Sequence, residues 1–331
     1  DPNVGIVTVP DQRLIKLEEI YLPEETKPAT YEFVDIAGIV KGASVGEGLG
    51  NKFLSHIREV DAVIHVVRCF EDKDIIHVEG NIDPIRDIEI INLELAMSDM
   101  EIVQNRLDKI TKKAQTSNDK VALKEVDLLN RCKNILVSGK ALREEEFSEE
   151  ELETLKVFNF ITLKPMIYLA NMTDADLVTG NTTYLDQVKE YASKTNETVI
   201  PMCAKIESEL VELEDSEKKV FLSELGIEES GLDKLISETY RILGLSTFFT
   251  VGSDEVRAWT FKQGMKAPEC AGIIHTDFQK GFIKAEVMSY NDLIECGSEL
   301  KVKEAGKARL EGKDYLMQDG DICYFRFNVT K

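Results

Sequence analysis

Short strand-like runs separate longer helical patterns along this chain. The β-branched runs lie at residues 4–9, 30–35, 62–68, 165–171 and 198–203. The third and fourth runs are almost continuously apolar, which is typical of strands covered on both faces in a parallel sheet. The pattern therefore predicts an α/β layer domain.

The segment from residue 84 to about residue 143 departs from this alternation. It has no strand signals, and its apolar residues recur at helical intervals, as in Val103, Leu107 and Ile110. A polar break at residues 115–120 predicts a turn. We therefore expect a hairpin of two helices inserted between two strands of the sheet. The alternative is a solvated helical arm that acts only as a spacer.

After Leu245 the chain changes to β-type runs separated by glycine, with helical candidates near residues 291–294 and 304–310. This mixture predicts a small α+β domain with a mixed or strongly bent sheet. The expected domains follow from these changes of pattern. Residues 1–83 form the first part of the α/β domain and residues 151–244 its second part. The inserted arm comprises residues 84–150, and the C-terminal domain comprises residues 245–331.

Composition narrows the class of protein. The chain has 331 residues and a net charge of −21, which argues against a general nucleic-acid coat. Residues 245–331 carry 12 basic and 13 acidic side chains, so the acidic excess lies upstream. We therefore expect any RNA-facing surface in the C-terminal part or in a local patch. No apolar run approaches the roughly 20 residues of a membrane span, and no signal peptide is evident, which favours a cytoplasmic protein without a membrane partner. The six cysteines are scattered along the chain, which favours reduced thiols.

The segment Asp35-Ile-Ala-Gly38 follows the second predicted strand. An aspartate at the carboxyl end of a strand lies where open α/β sheets bind ligands. It can hold a water bound to Mg²⁺, and a glycine three residues later lets a backbone N–H approach a terminal phosphate. By itself the motif is weak, because a strand that ends in a turn contains the same residue types.

Two further loops follow strands of the same predicted sheet. Asn171-Met172-Thr173-Asp174 comes directly after the fourth strand, where a nucleotide switch presents an asparagine and an acidic residue to the base. Cys203-Ala204-Lys205 follows the fifth strand and can close over the base with backbone groups. Three such loops in this order indicate a nucleotide site more strongly than any one of them.

With these motifs the chain resembles the YchF family, the Obg-like ATPases, within the translation-factor class of P-loop GTPases. The similarity covers essentially the whole chain and includes the stretches FVDIAGIVKGASVGEGLGNKFL, VVRCFEDKDIIHVEGNIDPIRDIEIIN, EVRAWTF and AGIIHTDFQKGFIKAE. The resemblance implies a P-loop NTPase-type sheet, an inserted helical hairpin and a C-terminal TGS domain. It also implies hydrolysis of ATP with Mg²⁺, and a partner in the ribosome or its large subunit, with RNA contact through the TGS domain or the arm.

The resemblance also bears on the choice of base. Most GTPases of this superfamily carry N-K-x-D, and here Met172 replaces the lysine while Asp174 keeps the acidic position. The family prefers ATP, although it also binds GTP, so adenine recognition by Asn171, the Met172 backbone and residues 203–205, including Cys203 and Ala204, is implied. Phe70 and Met202 are expected apolar neighbours of the base, and core packing is the alternative for Met202.

The residue after Gly38 is Ile39, where a Ras-like switch has a glutamine that orients the attacking water. The family shares this hydrophobic residue, and the resemblance favours His77 as the catalytic, water-orienting side chain. His65 lies in an apolar strand and is expected in the core. The glycines at positions 42, 46, 48 and 50 are expected to make the switch segment mobile, and a plain flexible loop is the alternative.

No G-x-x-x-x-G-K-[ST] sequence occurs in the 331 residues. The opening resembles the family's strand after switch I. We therefore expect a unit of roughly 30 residues or more, carrying the first strand, the P-loop and switch I, upstream of Asp1. Residues 1–331 alone are accordingly expected to bind ATP weakly and not to hydrolyse it. Two alternatives stay open for the protein, a GTPase and a non-catalytic adaptor that has lost its P-loop.

Overall fold

The structure is a computed structural model, and it describes residues 3–36, 49–72, 80–117, 119–179 and 183–328. The strands in these residues are β1 (Asn3–Thr8), β2 (Glu25–Lys27), β3 (Thr30–Asp35), β4 (Val63–Arg68), β5 (Met166–Asn171), β6 (Thr198–Met202), β7 (Leu245–Thr250), β8 (Glu255–Lys262), β9 (Phe282–Ser289), β10 (Arg309–Glu311) and β11 (Asp321–Phe327). The α-helices are α1 (Gln12–Tyr21), α2 (Leu49–Glu59), α3 (Pro84–Ser117), α4 (Lys120–Val137), α5 (Glu149–Lys156), α6 (Asp174–Thr179), α7 (Thr183–Thr195), α8 (Ala204–Val211), α9 (Asp215–Glu224), α10 (Gly231–Ile242), α11 (Ala267–Ile274), α12 (Thr276–Lys280), α13 (Tyr290–Cys296) and α14 (Glu299–Glu304).

The chain divides into two compact units. The larger unit contains residues 34–234, and the C-terminal unit contains residues 4–33 and 235–328. This grouping differs from the predicted boundaries, which place residues 4–33 in the α/β domain. The physical reason is that β2 pairs in parallel with β8, while Leu17 of α1 is buried in the same core as Phe249. As functional domains, the predicted boundaries stay predictions.

The larger unit contains a parallel sheet in the order β4-β5-β6. All but the last residue of β5 are buried, as expected for a strand covered on both faces. The register places Arg68, Asn171 and Met202 side by side in one row at the carboxyl ends of the three strands. The predicted runs at residues 62–68, 165–171 and 198–203 are therefore confirmed as neighbouring parallel strands.

The predicted helical hairpin is present as α3 and α4, which we call the arm. Their facing apolar residues share a core that includes Val103, Leu107, Leu129 and Cys132. Asp119 caps the start of α4, because its carboxylate accepts hydrogen bonds from the next backbone N–H groups, at residues 121 and 122. The break that the sequence predicts at residues 115–120 therefore coincides with a capped helix start.

The C-terminal unit is built on a sheet in the order β10-β9-β11-β7-β8-β2. The pairs β11–β7 and β2–β8 are parallel and the others are antiparallel, so the predicted mixed sheet is confirmed. The helix predicted at residues 304–310 is wrong. Helix α14 ends at Glu304, Gly306 has a φ of 69° that an α-helix does not allow, and a strand follows at Arg309.

Several sequence expectations concern buried residues. All six cysteines are free thiols, and all but Cys296 are buried. His65 on β4 is half-buried and not part of the buried core, and burial lowers its pKa to about 4, so it is neutral at physiological pH. Among the residues described, no helix is both long enough and apolar enough to cross a membrane.

A buried carboxylate connects three segments of the larger unit. Asp99 of α3 is fully buried, and its Oδ1 accepts hydrogen bonds from Arg58 Nη1 (2.7 Å) and from the backbone N–H of Ile161 (3.1 Å). Its Oδ2 accepts from the backbone N–H and the hydroxyl of Thr162, each at 2.7 Å. These bonds join the end of α2, the arm and the segment that leads into β5. A buried charge is stable only with such a set of partners.

Replacing Asp99 should strongly destabilise the larger unit. We expect Asp99→Ala to lower the free energy of unfolding by about 3–5 kcal/mol, because it leaves Arg58 and two buried backbone N–H groups without their acceptor. Urea unfolding followed by circular dichroism measures this change. The matched control is Asp108→Ala on the same helix, an exposed residue that accepts from the Gln104 side chain, with an expected effect within about 0.5 kcal/mol. Equal effects of the two substitutions would contradict the assignment.

Candidate functional site

Backbone hydrogen bonds connect the loops at the carboxyl ends of β4, β5 and β6. The N–H of Cys69 donates to the carbonyl oxygen of Asn171 (2.8 Å), and the N–H of Met172 donates to the carbonyl oxygen of Met202 (2.8 Å). The carboxyl ends of parallel strands are the usual ligand-binding edge of an open α/β sheet. The structure thus brings the two predicted loops at residues 171–174 and 203–205 together at that edge.

Asn171 makes a further bond across the two loops. Its Oδ1 accepts from the backbone N–H of Ala204 at 3.1 Å, where α8 begins. This bond satisfies one of the N–H groups that every helix start leaves without an intrahelical partner. It also fixes the orientation of the side-chain amide, so the Nδ2 group is the end of Asn171 that can donate to a ligand.

The side chains of Met172, Met202 and Cys203 point into the protein interior. Their exposed fractions are 4%, 7% and 2%. Met172 belongs to the core beneath the sheet, together with Tyr168. The alternative of core packing therefore describes the Met202 side chain, and the ligand-facing groups at these positions are backbone atoms and the exposed Ala204.

Phe70 lies just beyond β4 and is half-buried. The Arg68 guanidinium lies 4.7 Å from the centre of the Phe70 ring, and its Nε donates to the Phe70 carbonyl oxygen at 3.2 Å. Such a cation–π contact holds the ring in place. Phe70 is therefore an ordered, partly exposed aromatic ring that follows the first strand of the row.

Asp174, the acidic residue of the loop at residues 171–174, already has hydrogen-bond and ion-pair partners. Asp174 accepts from the N–H of Ala175 (2.8 Å) and pairs with Lys205 (3.4 Å). The Ala175 N–H and the Lys205 ammonium hold the pKa of Asp174 below its ordinary value. This carboxylate is thus ionised at neutral pH, and Lys205 links it to the third loop.

The other predicted site residues are less fully described. Asp35 ends β3 as an exposed residue, and no hydrogen bond or ion pair joins it to another described residue. Gly38, Ile39 and His77 lie outside the described residues.

The described residues contain no group of three or more His, Cys, Asp or Glu side chains that could hold a metal ion. In proteins, Mg²⁺ keeps several waters and is bound by one or two carboxylates together with phosphate oxygens. Asp35 is an exposed carboxylate without a partner among the described residues, and carboxylates of this kind can bind Mg²⁺ through water. It does not form a metal site by itself.

Sequence reasoning did not identify Glu207 and Gly231. Glu207 Oε1 accepts from the N–H of Gly231 (2.7 Å), which starts α10. A Cβ at position 231 would lie 2.9 Å from Met202 Cγ and 3.0 Å from Glu207 Oε1, so glycine is required for this close approach. The start of α10 therefore lies close to Met202, the residue that precedes the 203–205 loop. Because the partner of Glu207 is 24 residues away, no local pattern could have indicated the bond.

Comparison with known proteins identifies the class of this chain. Residues 15–106 match the family model MMR_HSR1, described as a 50S ribosome-binding GTPase. With the parallel sheet and its polar loops, this match defines the class, a mixed α/β protein with a P-loop GTPase domain.

The particular family follows from full-length similarities. Residues 245–328 match YchF-GTPase_C, described as a protein of unknown function. The chain is 56% identical to the ribosome-binding ATPase YchF of Bacillus subtilis, over 99% of this chain and 90% of the relative. It is 44% identical to Obg-like ATPase 1 of Caenorhabditis elegans, over 99% and 84%. The structure of the Schizosaccharomyces pombe YchF GTPase matches with a TM-score of 0.90 and 39% identity, covering 98% of this chain and 88% of that one. The chain therefore belongs to the YchF family, and the resemblance seen in the sequence is confirmed.

The pKa of Glu207 leads to a pH prediction. Burial raises this pKa above its ordinary value, so the folded protein holds the proton more tightly than the unfolded chain. The stability that the protonated carboxyl contributes is therefore present below the unfolded pKa, about 4.3, and is lost as pH rises through the folded pKa. Glu207→Gln keeps an acceptor oxygen but does not ionise. We expect wild type to lose stability relative to Glu207→Gln as pH rises over that interval.

Urea unfolding of both proteins at a series of pH values measures this difference. A pH-independent difference between wild type and Glu207→Gln would contradict the raised pKa.

Proposed function

We propose that this chain belongs to an ATP-preferring P-loop nucleotide hydrolase that acts as a nucleotide-dependent switch on the ribosome, in the cytoplasm. Its residues supply the base-binding loops and the carboxylate that senses the γ-phosphate through Mg²⁺. The observation that carries the proposal is the pairing of Asn171 Oδ1 with the Ala204 N–H, at the edge of the sheet where the two loops meet.

The Asn171 amide can bind a purine base but does not discriminate between adenine and guanine. Adenine and guanine both present N7 as an acceptor. The Nδ2 group of Asn171 can donate to that atom in either nucleotide. The preference for one base must therefore come from protein groups that contact the substituent at C6 of the purine ring. This substituent is an amino donor in adenine and a carbonyl acceptor in guanine.

The backbone groups around that position favour adenine. A guanine carbonyl needs a donor, but the N–H of Ala204 donates to Asn171 and the N–H of Met172 donates to Met202. Carbonyl oxygens of the same loops can accept from the adenine amino group. Met172 also lacks the ammonium of the usual N-K-x-D motif, and its side chain is buried. These features support a preference for ATP.

The remaining elements of the site follow the same proposal. Asp35 would hold Mg²⁺ through a water, Gly38 would offer its N–H to the γ-phosphate, and Phe70 would pack at the base as an apolar neighbour. Mg²⁺ supplies charge neutralisation on the phosphates. The phosphate-binding amides and lysine of such a site come from a P-loop, and no G-x-x-x-x-G-K-[ST] sequence occurs in residues 1–331.

His77 is proposed to orient the attacking water. The observation that motivates this role is Ile39, which can neither donate nor accept a hydrogen bond at the position where related switches carry glutamine. A neutral imidazole can accept a proton from the water on one nitrogen and donate from the other.

The proposed association with the ribosome is based on the names of the relatives. The bacterial proteins are named ribosome-binding ATPases, whereas the fission-yeast structure is titled a GTPase, so the names themselves differ on the nucleotide. The retained Asp174 is the feature of this chain that favours GTP, because a carboxylate accepts from the guanine N1–H and amino groups. Nucleotide preference is therefore the quantity to test.

The intact protein is expected to bind ATP more tightly than GTP. Equilibrium titration with labelled nucleotides measures both affinities. Asp174→Ala should weaken GTP binding more than ATP binding, because adenine has no donor for that carboxylate, and a lost charge-assisted hydrogen bond costs about 1.5–3 kcal/mol. Asn171→Ala should weaken both, since N7 is common to them. A tenfold preference of wild type for GTP would establish the GTPase alternative, and the absence of binding to either nucleotide would establish the adaptor.

His77→Ala in the intact protein is expected to slow hydrolysis by about 10²-fold or more while ATP affinity stays within a few-fold of wild type. The reason is that water positioning acts on the chemical step rather than on nucleotide binding. Single-turnover hydrolysis and ATP titration separate the two effects. His275→Ala, at an exposed histidine of the C-terminal unit, is the control and should change neither. An unchanged single-turnover rate for His77→Ala would show that another group orients the water.

A further inference from the structure

Lys205 makes an ion pair with the acidic residue of the neighbouring loop. Its Nζ lies 3.4 Å from Oδ2 of Asp174, which comes 31 residues earlier in the chain. The other carboxylate oxygen, Oδ1, accepts from the backbone N–H of Ala175 at 2.8 Å. Both oxygens of Asp174 therefore already have a donor within the protein.

The stability of its own helix does not explain the position of Lys205. This lysine is the second residue of α8, so its charge faces the partial positive charge of the helix N-terminus, where a cation is unfavourable. Its side chain is largely exposed and contributes little to packing. Among the residues that the structure describes, Asp174 is the acidic side chain with which Lys205 pairs. The interaction to be explained is therefore the one between the two loops.

The charge of Asp174 affects adenine and guanine in opposite ways. Guanine presents the N1–H and amino donors to a carboxylate at this position, whereas N1 of adenine is itself an acceptor. A free carboxylate therefore favours guanine and disfavours adenine. An ammonium bound to the carboxylate offsets its charge and takes up part of its accepting capacity, so it weakens both effects. The ion pair thus shifts the balance of affinities towards adenine.

We propose that Lys205 determines nucleotide specificity by holding Asp174 in an ion pair, which makes this carboxylate a weaker acceptor for guanine. This inference rests on the proposed base-binding site and adds a residue that sets its selectivity. Lys205 acts through Asp174 and is therefore a positioning residue. It resolves the conflict between an acidic residue that favours GTP and backbone groups that favour ATP.

The exposure of the pair limits the size of the effect. The side chains are 70% exposed for Lys205 and 52% exposed for Asp174, and ion pairs at such a surface are weak. A base that docks beside the pair removes water from it and strengthens it. We therefore expect a change of a few-fold in selectivity, about two- to fivefold, rather than orders of magnitude.

The test measures the equilibrium affinities of the intact protein for ATP and GTP. Lys205→Met keeps most of the side-chain length and removes the charge, so it should shift the ratio of the two affinities towards GTP by about two- to fivefold. Because ATP and GTP carry the same phosphates, the ratio cancels any effect of the lost charge on phosphate binding. Lys205→Arg keeps a cation and should restore the selectivity for ATP. Lys189→Met, at an exposed lysine of α7, is the matched control and should leave the ratio unchanged.

A double variant separates action through Asp174 from a direct contact with the base. In protein that carries Asp174→Ala, Lys205→Met should no longer shift the ratio towards GTP, because the carboxylate that it controls is absent. A shift of the same size in both backgrounds would overturn the proposal, and so would an unchanged ratio for Lys205→Met alone. A shift towards ATP would also overturn it, because the Lys205 ammonium would then be a donor to guanine.

The ion pair is also measured without nucleotide. NMR titration of carbon-13-labelled aspartate carboxyl groups follows Asp174, which is assigned from the signal lost in Asp174→Ala. The Ala175 N–H and the Lys205 ammonium hold the pKa of this carboxyl below its ordinary value, so Lys205→Met should raise the pKa and Lys189→Met should not. An unchanged pKa in Lys205→Met would overturn the proposal. Wild type that binds neither nucleotide would overturn the proposed function and this inference together, whereas binding with an unaltered ratio in Lys205→Met defeats only the role of Lys205.

Discussion

The larger unit depends on the buried carboxylate of Asp99. A charge removed from water is tolerated only when its hydrogen-bonding capacity is filled, and here Arg58, Ile161 and Thr162 fill it. Because these partners come from α2 and from the segment before β5, the carboxylate fixes one end of the arm against the sheet. Losing one partner would leave the others with an imperfectly compensated charge, so the three segments are held as a set.

The position of β5 determines the candidate site. Its last residue, Asn171, lies in register with Arg68 and Met202, and its backbone and side chain each bond to a neighbouring loop. The loops are thus aligned by main-chain bonds, while the methionine side chains serve as core. A site built from backbone groups of a rigid sheet is preorganised, so little ordering cost remains when a ligand binds. Glu207 bonds the start of α10, which lies close to Met202 at the end of β6.

Local pattern predicted the elements whose signals are local. The apolar run of β5, the helical spacing of the arm and the loops after β5 and β6 were all evident from short stretches of sequence. Contacts between distant residues were not. Pairing of β2 with β8, with Arg13 bonded to Asp319 across 306 residues, moves residues 4–33 into the C-terminal unit. No property of residues 12–27 alone indicates that partner, and the same holds for Glu207 and Gly231.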